Sequence, residues 1–447
     1  MALKSQQKIE RVLQENTCTG CGTCVSMCPN LALKMGIDCK LNTFVPKLDL
    51  DNCIHCGICH QVCPAYPIDD LNNFISPSAQ DINHFLIGNF EAFYLAYSTK
   101  DKIRFDSSSG GTVTSLLIYA LDKGIINGAL VTKMSKEHPI MPEPFIAKTK
   151  EELIEAAKSK YCPVPTNIAI REILKHDGKI AVIGLPCHLK GFELAEKVNQ
   201  TLKEKIVLHL GIFCSHTDTF NGIQYVLAKC NINIADIEEI SYRGGGWPGG
   251  INIRLKNGVE KKVPLTTPLW MAFHDSLFFS PHCCLFCSDV TAESADISFG
   301  DPWLPEIMST EKKGKSILIV RSERGRELLN SAVIDGEVAV SPIDLDTVIT
   351  SQKTFIHFKK INLKERVQIK RLLGKNYMDY SCPVMLSPFN KVIAFIYILN
   401  YYLFSKKIVV KIFSNIPVKI IQLYLAVLFT IRHKVIEKDW RNYESDK

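Results

Sequence analysis

Eight of the seventeen cysteines fall into two copies of one spacing: two residues separate each of the first three cysteines, three separate the third from the fourth, and a proline follows. The first copy is Cys18, Cys21, Cys24 and Cys28, and the second is Cys53, Cys56, Cys59 and Cys63. This spacing is typical of two-cluster bacterial ferredoxins, in which the fourth cysteine of each run ligates the other 4Fe–4S cluster. We therefore predict a protein that moves single electrons, with one cluster on Cys18, Cys21, Cys24 and Cys63 and a second on Cys53, Cys56, Cys59 and Cys28.

Two other uses of cysteine fit these runs poorly. A structural zinc site takes four ligands in two halves, not two runs of four cysteines that each end in Cys-Pro. A disulfide framework requires an oxidising compartment, whereas the first 14 residues read as a short charged amphipathic helix and not as a cleavable leader. We expect reduced cysteines and a cytoplasmic protein.

Four later cysteines could hold a third 4Fe–4S cluster. Two of them follow predicted strands, Ile180 to Gly184 and Ile206 to Phe213, and the other two form a C-x-x-C pair. The carboxyl ends of parallel strands line one crevice of an open α/β sheet, so we predict a cluster on Cys187, Cys214, Cys284 and Cys287. Cys283 and Cys162 are the substitutes if one ligand is misassigned. The alternative is two buried apolar thiols and a separate redox or incidental pair.

A second kind of site is predicted where a Ser-Gly loop opens a helix. The loop, Ser107 to Gly111, follows the predicted strand 93–98 and precedes apolar residues at helical spacing. Its free N–H groups and hydroxyls suit an anion, although such turns also serve as plain helix caps. In the Arg-Gly-Gly-Gly-Trp-Pro-Gly-Gly loop, Arg243 could pair a phosphate bidentately or lie solvated in a hairpin connector. Asp301, at the end of a short strand, could orient a cofactor or only cap its turn.

Taken in order, these motifs resemble the beta subunits of coenzyme F420-reducing hydrogenase and dehydrogenase. The matching stretches, from about residue 17 to 352, are the two cysteine runs, SSSGG with the helix after it, Ser159-Lys160-Tyr161, GLPCHLKG, IFC, YRGGGWPGG, CLFC and ADISFGDPW. The resemblance implies FAD in a central α/β domain, iron–sulfur clusters beside it and coenzyme F420 as substrate. It also implies that Ser108, Ser109, Gly110, Gly111 and Thr112 hold the FAD pyrophosphate, with Lys160 and Arg243 as charge partners. Where relatives often carry Arg-Pro before C-x-x-C, this chain has Pro281-His282-Cys283, so the choice between Cys283 and Cys284 stays open.

The predicted function is an oxidoreductase that couples hydride exchange with coenzyme F420 to one-electron transfer, because FAD can exchange electrons either in pairs or singly. The predicted partner is a redox protein or a ferredoxin, and no side chain is predicted to act as acid or base. Two alternatives stay open: a ferredoxin-dependent reductase of an organic or pigment substrate, and a non-catalytic electron-relay subunit of a membrane complex.

We predict an α/β (α+β) fold. The length of 447 residues and the uneven distribution of charge indicate that the chain has three parts. We predict a two-cluster ferredoxin-like domain at 1–75, a FAD and iron–sulfur domain at 85–375 with parts at about 90–175 and 178–350, and amphipathic helices at 383–436. The net charge of +7 belongs to the last part, which has no acidic residue between Asp379 and Glu437.

The last part also contains two apolar runs, at 392–404 and 420–431. Each is shorter than the roughly 20 residues of a membrane-spanning helix. We therefore expect helices that lie on the inner face of a membrane or pack against protein. A helix that spans the membrane is the less favoured alternative. The basic residues alternate with long aliphatic runs, so nucleic-acid binding is not predicted.

Overall fold

The computed structural model describes residues 9–65, 82–375, 377 and 379–445. The N-terminal domain contains a hairpin of strands β1 (Leu33–Asp38) and β2 (Thr43–Leu48). Residues 9–14 are helical, and two further short helices, Thr23–Ser26 and Ile58–Gln61, each follow a glycine with positive φ. Only glycine adopts that conformation without strain, so Gly22 and Gly57 allow each cysteine run to close on itself. Residues 66–75 of the predicted first domain, and most of the predicted first helix, lie outside the described residues.

The central domain is built on one eight-stranded sheet in the order β13-β3-β12-β11-β7-β6-β4-β5. Its strands are β3 (Ala92–Ser98), β4 (Gly128–Met134), β5 (Pro142–Ala147), β6 (Ile180–Gly184), β7 (Ile206–Ile212), β11 (Ile297–Gly300), β12 (Ser316–Val320) and β13 (Val338–Pro342). The predicted strands at 93–98, 180–184 and 206–213 are therefore present. The apolar runs form strands because they are buried on both faces, as β12 is along its whole length.

The sheet is mixed, and the two predicted strands that precede Cys187 and Cys214, β6 and β7, are parallel neighbours as expected. Strands β4, β6, β7 and β11 are parallel neighbours, whereas β5, β12, β3 and β13 join through antiparallel pairings. Because β3 and β11 are both antiparallel to β12, five strands (β3, β4, β6, β7 and β11) place their carboxyl ends at one edge. Short apolar runs do not reveal strand direction, since direction depends on the connections between them.

A second, smaller sheet and the helices make up the rest of the central domain. Strands β8 (Ile237–Ser241), β9 (Gly250–Leu255) and β10 (Glu260–Pro264) form an antiparallel sheet. The α-helices of the domain are Ile82–Ile87, Asp101–Asp106, Thr112–Asp122, Lys150–Glu155, Ile170–Lys175, Pro186–Val198, Gln200–Lys205, Phe220–Lys229, Pro268–Trp270, Pro305–Thr310, Glu323–Ile334, Leu345–Ile356 and Leu363–Leu372. Two π-helical turns, Met271–Asp275 and His357–Ile361, and 3-10 turns at Thr166–Ala169, Ile234–Asp236 and His282–Phe286 complete it.

The C-terminal part forms three helices, Phe389–Phe404, Lys407–Asn415 and Val418–Ser445. The last helix extends beyond the predicted end at residue 436. Its second half carries Ile436, Trp440 and Tyr443, all 6% exposed or less, into the same hydrophobic cluster as Ile317 of the central sheet. The amphipathic helices are therefore packed onto the central domain. The molecule has a mixed α/β fold with a small N-terminal domain and C-terminal helices.

Candidate redox site

Two cavities in the N-terminal domain are each lined by four cysteines. The first is lined by Cys18, Cys21, Cys24 and Cys63. The second is lined by Cys28, Cys53, Cys56 and Cys59. Each cavity takes three sulfurs from one run and the fourth from the other run, which is the arrangement of two-cluster ferredoxins.

Crowding of the sulfurs in these cavities suits a cationic iron core. Burial and the Cys63 sulfur raise the pKa of Cys18. In the other cavity, burial together with Cys56 and Cys28 raises the pKa of Cys59 to about 11. Thiolates that repel one another in a partly dry site need a metal to hold them ionised. The donor set therefore fits 4Fe–4S clusters, and the assignment of individual ligands stays a prediction.

The third predicted set is assembled from three separate segments. Gly184 of β6 pairs with Gly211 of β7, and Cys187 and Cys214 each follow three residues later, so they lie at neighbouring strand ends. The 3-10 turn His282–Phe286 brings Cys284 and Cys287 to the same place. Burial, followed by the sulfurs of Cys214, Cys21, Cys287 and Cys284, raises the pKa of Cys187. The four predicted sulfurs are thus mutual electrostatic neighbours.

The substitutes for the third set behave differently. The Cys283 thiol lies beside Cys284, and Cys187 and Cys18 also raise its pKa, so it borders the set. Cys162 is buried, and its charged or polar neighbours are Tyr242, Lys160 and Asp218. Cys283 stays an alternative ligand by position, whereas Cys162 lies with another group of residues.

Sulfurs of successive sets also neighbour one another, which gives the sets a linear order. Cys59 of the second set raises the pKa of Cys24 in the first, and Cys21 of the first raises that of Cys187 in the third. The first and third sets are held together by Asn167, whose backbone N–H donates to the Cys21 carbonyl at 2.8 Å and whose Nδ2 donates to Thr23 Oγ1 and the His188 carbonyl. The order is second set, first set, third set.

Lys359 places a positive charge at the third set. It is 1% exposed, and its Nζ donates to Cys287 Sγ at 3.3 Å and to the Asp289 carbonyl at 2.7 Å. Within the described residues it forms no ion pair, and the Asp289 carboxylate accepts from the N–H groups of Ala292 and Glu293 instead. Burial disfavours the charged form, but Cys214, Cys287, Cys284 and Asp289 together outweigh it and raise the pKa of Lys359. A buried ammonium needs nearby negative charge, and thiolates that ligate a cluster would supply it together with the Asp289 carboxylate.

The Ser-Gly loop lies at the same edge of the sheet, after β3. Gly111 has φ +73° immediately before the helix Thr112–Asp122. The Gly110 N–H donates to Ser316 Oγ at 3.0 Å, and Ser108 Oγ accepts from the Ser159 N–H at 2.7 Å. Thr112 Oγ1 is buried without a hydrogen-bond partner among the described residues. The first N–H groups of the helix and this hydroxyl fit a pyrophosphate.

The two cations predicted beside this loop bond to protein groups. Lys160 Nζ donates to the carbonyls of Ala156, Ala157 and Lys158, and burial lowers the pKa of Lys160 to about 7. Their pairing with phosphate stays a prediction that these contacts do not support.

Arg243 is fully buried, so it is not the solvated residue of a hairpin connector, although its loop does join β8 to β9. Its Nη1 donates to Asp301 Oδ2 and Tyr161 Oη, both at 3.0 Å, and its Nη2 to the Ser108 carbonyl. Asp301 also accepts from Trp247 Nε1 at 3.3 Å. Arg243 therefore holds the Ser-Gly loop in place through the Ser108 carbonyl, and Asp301 orients the Arg243 guanidinium.

A buried polar network lies between this loop and the third set of sulfurs. The Tyr161 ring is 4.6 Å from that of His274, and His274 Nδ1 is 2.6 Å from Asp218 Oδ2. His216 stacks on His274 at 4.2 Å, with its Nε2 3.0 Å from the His274 carbonyl. His216, Asp218 and His274 offer ligand atoms within 4.8 Å of one another. Asp218 Oδ2 and His216 Nε2 are hydrogen-bonded within this group, whereas Asp218 Oδ1 has no hydrogen-bond partner among the described residues.

Sequence reasoning missed Lys359, Asp218 and His274. Asp218 had a usable signal, because His216 and Asp218 closely follow the strand-end Cys214. Lys359 and His274 had none: each belongs to a π-helical turn, and each meets residues that are distant in the chain, Cys287 for Lys359 and Asp218 for His274. Such turns occur often at functional sites.

The protein has two four-cysteine cavities, and at one edge of its central sheet lie the third set of sulfurs and the Ser-Gly loop. These features together are typical of an iron–sulfur oxidoreductase. Three family models match the chain: coenzyme F420 hydrogenase/dehydrogenase beta subunit N-terminus over residues 93–171, its C-terminus over 177–346, and a 4Fe-4S dicluster domain over 17–66. The chain belongs to the coenzyme F420 hydrogenase/dehydrogenase beta subunit family and carries an N-terminal 4Fe–4S dicluster domain. The resemblance inferred from the motifs is confirmed.

Curated relatives carry the same family description. The chain is 29% identical to coenzyme F420 hydrogenase subunit beta of Methanothermobacter thermautotrophicus, covering 58% of this chain and 87% of the relative. It is 28% identical to the F420-dependent formate dehydrogenase subunit beta of Methanocaldococcus jannaschii, covering 63% and 69%. A chain in the F420-reducing NiFe hydrogenase complex of Methanosarcina barkeri has a TM-score of 0.52 and 23% identity, covering 66% of this chain and 97% of that one. At this identity the last likeness shows the fold alone.

Proposed function

We propose that this oxidoreductase exchanges hydride with coenzyme F420 through FAD and passes the electrons singly along three iron–sulfur clusters. The observation that carries the proposal is the place of the third set of sulfurs. It shares a sheet edge with the Ser-Gly loop and neighbours the dicluster domain through Cys187 and Cys21. The names of the family and of the relatives support F420 as the substrate.

The chain's own residues bind and orient the reacting groups. The N–H groups that open the helix Thr112–Asp122 and the Thr112 hydroxyl would bind the FAD pyrophosphate, while Arg243 and Asp301 fix the loop. FAD, when bound, exchanges electrons in pairs with a hydride carrier and singly with clusters. Cys187, Cys214, Cys284 and Cys287 would hold the third cluster. No side-chain acid or base is assigned.

The proposed protein partner is a redox protein or ferredoxin that meets the second set of sulfurs. Cys56 and Ile54 are exposed at this end, Ile54 by 60%. The relatives named as hydrogenase and dehydrogenase subunits support a protein partner. At the opposite part of the chain, the C-terminal helices would take a membrane surface as a second partner.

Iron and flavin counting on the anaerobically purified protein tests the proposal. We expect twelve irons from three 4Fe–4S clusters and one FAD, and bleaching of oxidised F420 when a low-potential donor is added. Eight irons would remove the third cluster. Flavin without F420 turnover would favour a reductase of another organic substrate, and clusters without flavin would favour a relay subunit.

Substitution of the third set tests its ligands separately from turnover. We expect Cys214→Ser to lose about four irons and its electron paramagnetic resonance signal while the two dicluster signals remain. Cys162→Ser is the matched control, because Cys162 lies with Tyr242 and not with the sulfurs. Equal iron content in both variants would contradict the ligand set.

A further inference from the structure

The helix Phe389–Phe404 is apolar on two opposite faces. Its inner face carries Ile393, Tyr397 and Tyr401, which are 7% exposed or less and belong to a hydrophobic cluster with Phe286 and Val367. Its outer face consists of Val392, Phe395, Leu399, Tyr402 and Leu403, which are 41–55% exposed. Residues three, four and seven apart share a helix face. The outer residues therefore form one continuous apolar stripe, which the described residues leave exposed except at Tyr402, where Lys370 Nζ donates to the Tyr402 hydroxyl at 2.6 Å.

The two helices that follow continue this surface. In Lys407–Asn415, Ile408 and Ile412 are 64% and 56% exposed. In the first half of Val418–Ser445 the outward side chains are Ile420, Leu423, Tyr424 and Val427, which are 45–70% exposed. Tyr424 Oη donates to Asn400 Oδ1 at 3.2 Å, so the first and last helices lie side by side. We call the exposed apolar residues of the three helices the outer tail face.

The charges beside the outer tail face are all positive. Five exposed lysines lie in the first two helices, at the junctions and in the first turn of the third helix: Lys391, Lys406, Lys407, Lys411 and Lys419. The chain has no acidic residue between Asp379 and Glu437. Lysines next to exposed aliphatic and aromatic side chains complement a bilayer with anionic headgroups, where the ammonium groups meet phosphate and the apolar groups enter the acyl boundary.

The packing of the helices favours an in-plane arrangement over a span. Among the described residues no single helix is long and apolar enough to cross a membrane, and Phe389–Phe404 passes together with Lys407–Asn415 only as a pair bent by 94°. The inner face of the first helix is already buried in protein. Lipid could therefore reach one side of it only.

We propose that the outer tail face binds the surface of a bilayer that contains anionic lipid, with the three helices lying in the plane of the headgroups. This inference rests on one part of the proposed function, the membrane surface as partner of the C-terminal helices. It adds the residues that bind and the anionic lipid that they bind. Binding to lipid requires no F420, flavin or electron transfer, so its failure and a failure of the redox proposal are distinguishable.

The test is flotation of the full-length holoprotein with phosphatidylcholine vesicles, with and without 30% phosphatidylglycerol. We expect binding to the mixed vesicles, weak binding to the neutral ones, and release in high salt. The triple variant Lys406→Ala/Lys407→Ala/Lys411→Ala should lower the partition coefficient by at least about tenfold, because each lysine near an anionic surface contributes to binding. The double variant Phe395→Ser/Leu423→Ser should lower it to a similar extent.

The matched control is Ile334→Ser, which removes an apolar side chain that is 83% exposed on another helix. It should bind vesicles as the native chain does. Iron content and circular dichroism of each variant check the fold. No binding by the native holoprotein, equal binding to neutral vesicles, or binding unchanged in both tail variants would overturn the proposal. Self-association that Leu423→Ser abolishes, without vesicle binding, would assign the face to a second copy and overturn it too.

Discussion

Lys359 is the residue whose surroundings say most about the third set of sulfurs. Its ammonium group donates to Cys287 Sγ and lies among cysteines, while its neighbour Lys360 pairs with Glu293 at 2.5 Å. A positive charge bonded to a ligand sulfur stabilises the reduced, more negative form of a cluster, because hydrogen bonds and nearby charge tune cluster potentials.

Lys359→Met should therefore make the midpoint potential of the proposed third cluster more negative. A hydrogen bond to a charged group is worth about 1.5–3 kcal/mol; if that is the difference between the two oxidation states, the shift is roughly 60–130 mV for one electron. Lys359→Arg should restore most of it. Redox titration followed by electron paramagnetic resonance measures the shift, with Lys360→Met as the control on the adjacent lysine. Equal potentials in the Met and Arg variants would argue against a role for this charge.

The raised pKa of His209, on β7, should make the free energy of unfolding depend on pH. Burial favours its neutral ring, but hydrogen bonds to Asp296 and Glu196 outweigh burial and raise the pKa of His209 to about 9. Because the folded pKa is above the unfolded value near 6.5, the contribution is complete below about pH 6.5 and is lost as the pH rises through about 9. It should amount to about 3 kcal/mol.

Urea unfolding at pH 6 and pH 9.5 tests this dependence. We expect the native chain to lose more unfolding free energy between the two values than His209→Gln does. The exposed His138→Gln should behave like the native chain. The same pH dependence in all three proteins would exclude His209 as its source.

At the scale of elements, the contact between two helices fixes the distance between the first and third sets. The helix Thr23–Ser26 carries Cys24, and the helix Pro186–Val198 carries Cys187. A Cβ at Gly191 would lie 2.4 Å from Thr23 Oγ1 and 2.7 Å from Asn167 Nδ2. Gly191 therefore permits the close approach that brings Cys21 beside Cys187.

Gly191→Val should push these helices apart. Overpacking of this kind costs about 1–3 kcal/mol, and the longer gap should slow electron exchange between the dicluster domain and the proposed third cluster. Rapid-freeze resonance spectroscopy after photoreduction measures the exchange, and urea unfolding measures the stability. Lys197→Val, on the exposed side of the same helix, is the control. Exchange as fast as in the native chain would show that this contact does not set the distance.

At the scale of the whole molecule, the C-terminal helices belong to the fold and are not an appendage. Asp439, fully buried, accepts from His357 Nε2 at 2.8 Å and from the Ser387 N–H at 2.9 Å. Trp440 and Tyr443 beside it complete a cluster that includes Ile317 of β12. Deletion after Pro383 therefore removes core as well as surface.

Asp439→Ala should lower the free energy of unfolding by about 1–3 kcal/mol for each buried donor that it leaves without an acceptor. Lys438→Ala, one residue earlier and exposed, should change it little. Urea unfolding of both variants makes the comparison, and deletion after Pro383 should give insoluble protein. A soluble, iron-loaded deletion protein would contradict the assignment of these helices to the core.

The sequence by itself determined what is local. The cysteine spacing within two short loops predicts the dicluster motif, and apolar runs of strand length predict β3, β6 and β7. Both predictions succeed because they depend only on residues that are close together in the chain. Family motifs in fixed order added the oxidoreductase class.

The tertiary structure alone decided what meets across the chain. Strand direction at β12, the pairing of Arg243 with Asp301, and the approach of Lys359 to Cys287 all depend on distant connections. The same holds for the two apolar faces of Phe389–Phe404, since composition cannot tell which face the core covers. Burial and charge pairing depend on how distant parts of the chain pack together, so only the tertiary structure shows them.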